Sequence, residues 1–195
     1  MAKNEIISDE IMINDIEGKE KHHSNFTWKD LIPSMIYGPI MLAQIILVFF
    51  YYNYYKLGFL TWISLGLMIL FAVIGSLPRI AFKKYGEVEK GKSHINTTKL
   101  VDKGIYAIIR HPYWLCWIIL SISLTLLSQY WIMILLALIA CPVIYFETFY
   151  LDKGLFNKFG ADYRNYAKKV PRMNLISGLI KFLKRESNKG NETHV

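Results

Sequence analysis

Charge is missing from three long stretches of this chain. No Asp, Glu, Lys or Arg occurs from Leu31 to Tyr55, from Leu57 to Pro78, or from Pro112 to Phe146. Cysteine is scarce as well: Cys116 and Cys141 are the two present, and both fall inside uncharged stretches. That argues against a disulfide framework or a cysteine metal pair, and both thiols read as small apolar packing groups. His22-His23 and His94 have no second ligand at metal spacing, so no metal is expected. The chain has no glycine-rich loop of the Rossmann or P-loop kind and no Ser/His/Asp arrangement. Residues 1–30 hold seven acids against four lysines and lack the basic start and apolar centre of a cleavable signal.

What is there instead is apolar surface. Hydrophobic residues make up 53% of the 195, and the mean hydropathy is positive. About 20 apolar residues cross the hydrocarbon core as a helix. The first two uncharged stretches each fit one span. The third suits a helical hairpin that turns at Ser128-Gln129-Tyr130-Trp131, a polar and aromatic break typical of headgroup level. Its first arm, Pro112 to Leu127, is short, so it is expected either to tilt little or to thin the bilayer locally. A soluble bundle would carry polar residues along an outer face of every helix, and these stretches do not. The expectation is an all-α integral-membrane bundle of about four transmembrane helices.

Charge placement sets an expected orientation. Eight Lys/Arg lie in 79–111 and ten between Asp152 and Val195, whereas the loop between the first two spans has only Lys56 and the 128–131 turn has none. Excess Lys/Arg faces the cytoplasm, so both termini are expected inside. The net charge of +8 then suits the anionic inner leaflet and carries no nucleic-acid signature. Four regions follow: a polar segment 1–30, two spans in 31–78, a region 79–172 holding the hairpin and the candidate chemistry, and a tail 173–195.

Several local features refine this outline. Phe26 and Trp28 read as interface anchors. The second span is expected to end near Leu77-Pro78-Arg79, with a loop through Lys83-Lys84-Tyr85-Gly86 and Lys90-Gly91-Lys92-Ser93. Pro142 is expected to kink the fourth span, which continues through Glu147 and Asp152 toward Phe159 until Gly160 ends or bends it. Leu175, Ile176, Leu179, Ile180 and Leu183 recur at helical spacing beside Lys181, Lys184 and Arg185, a pattern that suits a helix on the bilayer surface.

Ionisable groups at a membrane boundary are costly and mark candidate sites. Arg110-His111-Pro112 stands where a loop meets the third span. Pro112 is comfortable in a helix's first turn, so it presents His111 and Arg110 at the junction. Gly104 permits close approach of a ligand to the backbone, and Tyr106 offers a flat face and a hydroxyl. The plainer alternative is an arginine anchored to lipid phosphate beside a spectator histidine. Glu147 ends an uncharged run of 35 residues, and Asp152 follows five residues later. Five residues on a straight helix rotate by about 140°, so the two acids face one site only if the helix bends or the site wraps it. Tyr163 and Tyr166 lie one turn apart, and for each of them simple packing competes with a substrate role.

Leu100-Val101-x-x-Gly104-Ile105-Tyr106, Arg110-His111-Pro112, Phe159-Gly160-x-x-Tyr163-x-x-Tyr166 and Val170-Pro171-Arg172, in that order, resemble the isoprenylcysteine carboxyl methyltransferase and phospholipid methyltransferase superfamily over roughly residues 70–175. The resemblance implies a small membrane enzyme that uses S-adenosyl-L-methionine without a Rossmann fold. The cofactor would lie in a pocket between the loop before the third span and the C-terminal segment. By position, its contacts would be Thr98, Lys99, Leu100, Val101, Gly104, Tyr106, His111, Pro112, Tyr113, Trp114 and Asp152. Arg110, His111 and Glu147 are the expected catalytic residues, and Glu147, Tyr163 and Tyr166 are expected to meet the substrate, a membrane lipid or lipidated molecule.

Three positions depart from the family pattern. Trp114 stands where a Tyr is usual, Leu151-Asp152 replaces a pair of Glu, and Glu147 replaces an Arg near the substrate of the carboxyl methyltransferases. A carboxylate acceptor is ionised at neutral pH and wants a cation. An amine, with a Lys-like reference near 10.4, must lose a proton before it attacks, and an acid can attract the ammonium or take that proton. Glu147 therefore favours an amine-bearing lipid over an isoprenylcysteine carboxylate. A sterol-type membrane reductase using NADPH and an inactive membrane scaffold are the competing readings.

Overall fold

The structure, a computed structural model, describes residues 32–86 and 99–192, with side chains through 188. Expectations for Phe26, Trp28, His22-His23, Lys90 to Ser93, His94 and Thr98 lie outside the described residues. Five α-helices account for most of the rest: α1 Ile32–Phe50, α2 Gly58–Tyr85, α3 Pro112–Ser128, α4 Trp131–Lys169 and α5 Leu175–Glu192, with a 3₁₀ turn at Gly104–Ala107. No strand occurs among the described residues.

Helices α1, α2 and α4 are long and apolar enough to cross a membrane, while α3 has 17 residues and is the short one. Its place in the bundle explains why it can be short. It packs along α2, α4 and α1, and it buries Cys116, Ile119, Leu120, Ser121, Ser123 and Leu124. Protein rather than lipid surrounds much of it, so its ends are not obliged to match the bilayer thickness. The lipid-facing helices are apolar on the outside instead: Met35, Phe49, Trp62, Ile69 and Leu138 are exposed.

Apolar side chains alone do not hold membrane helices together, because lipid is equally apolar. Small polar groups join these. Ser64 on α2 and Ser123 on α3 exchange hydrogen bonds, each hydroxyl donating to the other's carbonyl at 2.8 and 2.9 Å. On α1, fully buried Gln44 accepts from Ser121 Oγ at 2.9 Å. Interhelical bonds of this kind contribute about 0.6 kcal/mol each.

At one end of the bundle the α1–α2 loop meets the α3–α4 turn. Gln129 caps α3 in a left-handed conformation (φ 60°), which fulfils the expected break at 128–131. Its amide donates to Asn53 Oδ1 at 2.8 Å and to the Leu57 carbonyl at 3.0 Å, and it accepts from Leu57 N–H at 3.0 Å. Tyr51 stacks on Tyr130 with ring centroids 4.1 Å apart.

The sequence ends α2 near Pro78, but the helix runs on to Tyr85. Proline removes one hydrogen bond without removing the following turn, and Lys83 and Lys84 in the last turn complement the helix dipole. In α4 the backbone stays helical through Pro142 and leaves helical dihedrals at Gly160 (φ 53°, ψ −122°), the residue expected to end or bend it. From Trp131 to Phe159, before the break, α4 extends about 43 Å. Roughly its first 20 residues suffice for the hydrocarbon core, so the part from Leu151 onward stands beyond it.

Candidate active site

At the opposite end of the bundle, the loop that precedes α3 is bound to the segment that follows α4. Arg110 N–H donates to the Pro171 carbonyl and His111 N–H to the Arg172 carbonyl, both at 3.0 Å. Tyr166 Oη donates to the Tyr106 carbonyl at 2.7 Å. Helix α5 closes over the same loop. Arg185 Nη2 donates to the Ala107 carbonyl at 2.5 Å, and Gly178 lies so near the Ile108 carbonyl that a Cβ there would sit 2.2 Å from its oxygen.

The centre of this end is Asp152. Its Oδ1 accepts from His111 Nε2 at 2.7 Å and from the Tyr163 hydroxyl. Its Oδ2 accepts from Arg110 Nη1 at 3.1 Å and from Arg172 Nε and Nη2 at 2.9 and 2.7 Å. Burial alone would raise the carboxyl's pKa; the donated hydrogen bonds and the nearby cations outweigh it and hold the group well below its usual range. His111 moves below its ordinary value too. Burial is the largest cause, and the two guanidiniums add to it against the pull of Asp152. Arg172 also lies 3.6 Å from the Phe149 ring centroid, a cation–π contact that fixes it from its other side.

The other sequence candidates fall into two groups. Tyr163 and Tyr166 are buried beside Val170 and Leu100, and burial pushes both phenols above their ordinary value. Both hydroxyls donate within the protein. Val101 is buried and Lys99 exposed. Gly104 adopts φ +65° at the start of the 3₁₀ turn, a conformation that favours glycine. Tyr106 is half-buried, with its ring 5.1 Å from that of Phe82, and burial raises its phenol as well. Of these, Tyr163 contacts Asp152 directly, as do Arg110 and His111, and Tyr166 ties the Tyr106 backbone to the same end.

Pro112, Tyr113, Trp114 and Glu147 form the second group, on the membrane side of the first. Pro112 opens α3. Tyr113 is exposed, and Trp114 packs edge-on against Tyr37 of α1 at 5.9 Å. Glu147 is buried (7% exposed) and makes no hydrogen bond to the Asp152 cluster. The two acids, five residues apart, thus face different partners, as the 140° rotation requires. Two buried side-chain atoms lack a hydrogen-bond partner among the described residues: Arg110 Nε and Glu147 Oε2.

Sequence reasoning missed Arg172 as a partner of Asp152, although it had singled out Val170-Pro171-Arg172 as a motif. It missed Tyr37 entirely, since a tyrosine in an apolar span carries no signal of its own. Beside the membrane, α3 and α4 frame a groove of about 630 Å³ lined by residues such as Ile122, Leu126, Leu138, Cys141 and Phe146. It contains none of the Asp152 cluster. No group of His, Cys, Asp and Glu that could hold a metal ion occurs among the described residues.

Fold and site together define a helical integral-membrane protein with a buried ionic cluster where two membrane helices leave the bilayer. Residues 67–150 match the model of the Isoprenylcysteine carboxyl methyltransferase (ICMT) family. The match supports a relation of this stretch to the family, and through it to membrane methyltransferases. The match includes Tyr106, Arg110, His111 and Glu147 and stops short of Asp152 and the tyrosines that follow. Neither a curated protein nor a solved structure matches the chain.

Proposed function

We propose that this protein transfers a methyl group from S-adenosyl-L-methionine to an amine-bearing membrane lipid, with both termini and the Asp152 end facing the cytoplasm. The family match over residues 67–150 supports the donor. When bound, S-adenosylmethionine supplies an electrophilic methyl group on a sulfonium. The residues present fit it: the buried Arg110 Nε is a donor with no acceptor, which suits a carboxylate, and Tyr106 offers a ring beside a glycine turn. The loop Thr98 to His111, with Pro112, Tyr113 and Trp114 adjoining, would hold the cofactor.

Asp152 is a positioning residue in this reading. Its oxygens are engaged by Arg110, His111, Tyr163 and Arg172, so it fixes the loop instead of meeting the ligand directly. Tyr163 and Tyr166 hold that frame. Glu147 faces the acceptor, attracts its ammonium and receives the proton that an amine must lose before it can react. A closed frame of this kind orients the reactants and excludes water.

One observation carries the amine preference: a buried carboxylate with an unmatched oxygen, placed at the end of an uncharged run of 35 residues. A buried anion without a cation is costly, and a lipid ammonium removes that cost. The test is labelled methyl transfer to phosphatidylethanolamine and to an isoprenylcysteine acid, by the parent and by Glu147→Arg. The parent should methylate the amine, and the variant should lose at least about tenfold of that rate. An unchanged rate in Glu147→Arg would discard the amine reading. Stabilisation by NADPH and not by S-adenosylhomocysteine would favour a reductase.

A further inference from the structure

Helix α5 has three sides of different character. At about 100° of rotation per residue, Leu175, Gly178, Phe182 and Arg185 share the first. That side is bound to the rest of the protein. Leu175 packs against the cluster of Ile74, Cys116 and Ile119 and against that of Ala81, Ile105 and Ile109. Gly178 presses on the Ile108 carbonyl, and Arg185 donates to the Ala107 carbonyl. The second side holds Ile176, Leu179, Ile180 and Leu183, which are between 46 and 76% exposed. The third is polar, with Ser177 and the exposed Lys181 and Lys184. A groove of about 460 Å³ runs where the last two sides meet, lined by Ile176 and Ile180 together with both lysines.

We propose that these two free sides of α5 dock on an anionic phospholipid surface, and that docking secures the loop before α3. Two observations choose the bilayer as the occupant. The first is continuity with the lipid-facing surface. Leu175 touches the cluster that contains Ile74, which lies inside the uncharged run of α2, and its neighbour Ile176 is the most exposed residue of the stripe. Val73 and Ile80 on α2 are exposed apolar residues as well. Helix α5 therefore starts at the rim of the hydrocarbon core. The second observation is charge. Lys181 and Lys184 follow one edge of the stripe, and Glu186 falls at the opposite edge, beside Leu179. An apolar stripe enters the acyl boundary while ammonium groups along its edge meet lipid phosphates.

The consequence for the candidate site follows from the first side. Helix α5 stands between the bilayer and the loop that carries Tyr106, Arg110 and His111. Lipid contact on one side keeps Gly178 and Arg185 against Ile108 and Ala107 on the other. This holds whatever the methyl acceptor is, so the proposal stands apart from the amine reading.

The test uses the full chain in lipid nanodiscs, with Cys116 and Cys141 replaced by alanine and an environment-sensitive fluorophore on Leu183→Cys. One set of discs is phosphatidylcholine; in the other, about a third of it is phosphatidylglycerol. Bromine on the acyl chains of both quenches a label that reaches them. The label should be quenched in the anionic discs, with a docked-to-free ratio at least about tenfold above that in phosphatidylcholine, since each lysine near an anionic surface contributes about fivefold. Added salt should shrink that difference. Lys181→Glu combined with Lys184→Glu should abolish it. All these positions are exposed, and Ile176→Cys offers a second labelling site on the same stripe.

Backbone hydrogen exchange reads the coupling. The amides of Ile108 and Ile109, which bond to the Ile105 carbonyl, should exchange more slowly in the anionic discs, and the double lysine variant should lose that protection. Amides at the Gln129 end should not respond. A label that stays water-like in anionic discs overturns the docking. So does quenching that ignores both lipid charge and the lysines. A label shielded from water yet unquenched by brominated lipid means that protein covers the stripe, a second copy or another segment of this chain, and rejects the bilayer. Lipid-dependent quenching with unchanged exchange at Ile108 and Ile109 overturns the link to the loop.

Discussion

The two ends of the bundle solve the same problem with different chemistry. Each must join an inter-helix loop to a second segment. The Gln129 end does it with neutral groups: a side-chain amide, backbone bonds from Asn53 and Tyr54 to Leu127 and Ser128, and stacked tyrosines. The Asp152 end does it with a buried carboxylate, two guanidiniums and an imidazole. Neutral groups cost little to desolvate, whereas buried charges cost several kcal/mol each before they attract one another. Stability alone would favour the neutral solution at both ends. The two buried atoms without partners, Arg110 Nε and Glu147 Oε2, lie at or beside the charged end. The neutral end is satisfied within the chain, and the charged end leaves one donor and one acceptor open.

The sharpest way to break this contrast is Asp152→Ala. It leaves Arg110, Arg172 and His111 close together without their anion, and removing one partner of a buried ion group costs about 3–5 kcal/mol. The variant should melt well below the parent in detergent and lose methyl transfer. The matched change at the neutral end is Gln129→Ala, which removes four hydrogen bonds and the side chain of a left-handed cap. Its cost should be about 1–3 kcal/mol, with methyl transfer per folded molecule unchanged. If Asp152→Ala keeps its activity while Gln129→Ala loses it, the roles assigned to the two ends are wrong.

Gly178→Val should have an intermediate effect confined to the charged end. A Cβ at Gly178 meets the Ile108 carbonyl oxygen at 2.2 Å, and neither backbone can yield without moving α5. Overpacking of this kind costs about 1–3 kcal/mol. Because α5 contacts the loop at Gly178 and Arg185, it should undock while α1 to α4 remain folded. Limited proteolysis in detergent should cut the variant after Met173 and spare the spans. Equal protection of the two proteins would show that α5 is not held at this point.

How much of this was legible beforehand follows from the range of each interaction. The spans were legible because the absence of charge over 20 residues is a local property. The 128–131 turn and the Gly160 break were legible for the same reason, since Gln129 and Gly160 sit in backbone conformations their neighbours disfavour. The end of α2 was misjudged because Pro78 was weighed without the dipole-matched lysines behind it. The Asp152 partners could be read only in part. Arg110 and His111 stood out by their place at a span, but Arg172 lies 20 residues from Asp152 and across the Gly160 break. Tyr37 could not be read at all, because its ring partner Trp114 is more than 70 residues away. The hydrophobic stripe of α5 was visible; which glycine presses on which carbonyl was not.

The smallest effect is also the most specific test of the charged end. His111 titrates below its ordinary value, so near pH 6 the unfolded chain binds a proton that the folded chain resists. Stability must then rise with pH in that range. This contribution is present above about 6.5, the reference for a free histidine, and is lost as the pH falls from there toward the lowered folded value. Asp152 acts in the same direction at lower pH: its depressed pKa stabilises the fold above about 3.9, and that contribution is lost only in stronger acid. Comparing the parent with His111→Gln in a melting series from pH 8 to pH 5 isolates the histidine from any other group that titrates there. Relative to His111→Gln, the parent's melting temperature should decline on acidification, and the variant should have the lower plateau. Gln129→Ala should keep the parent's slope, since its end of the bundle has no histidine or carboxylate side chain. An identical slope in the parent and His111→Gln would mean that burial and the two arginines do not hold the imidazole below its ordinary value, and the frame around Asp152 would have to be redrawn.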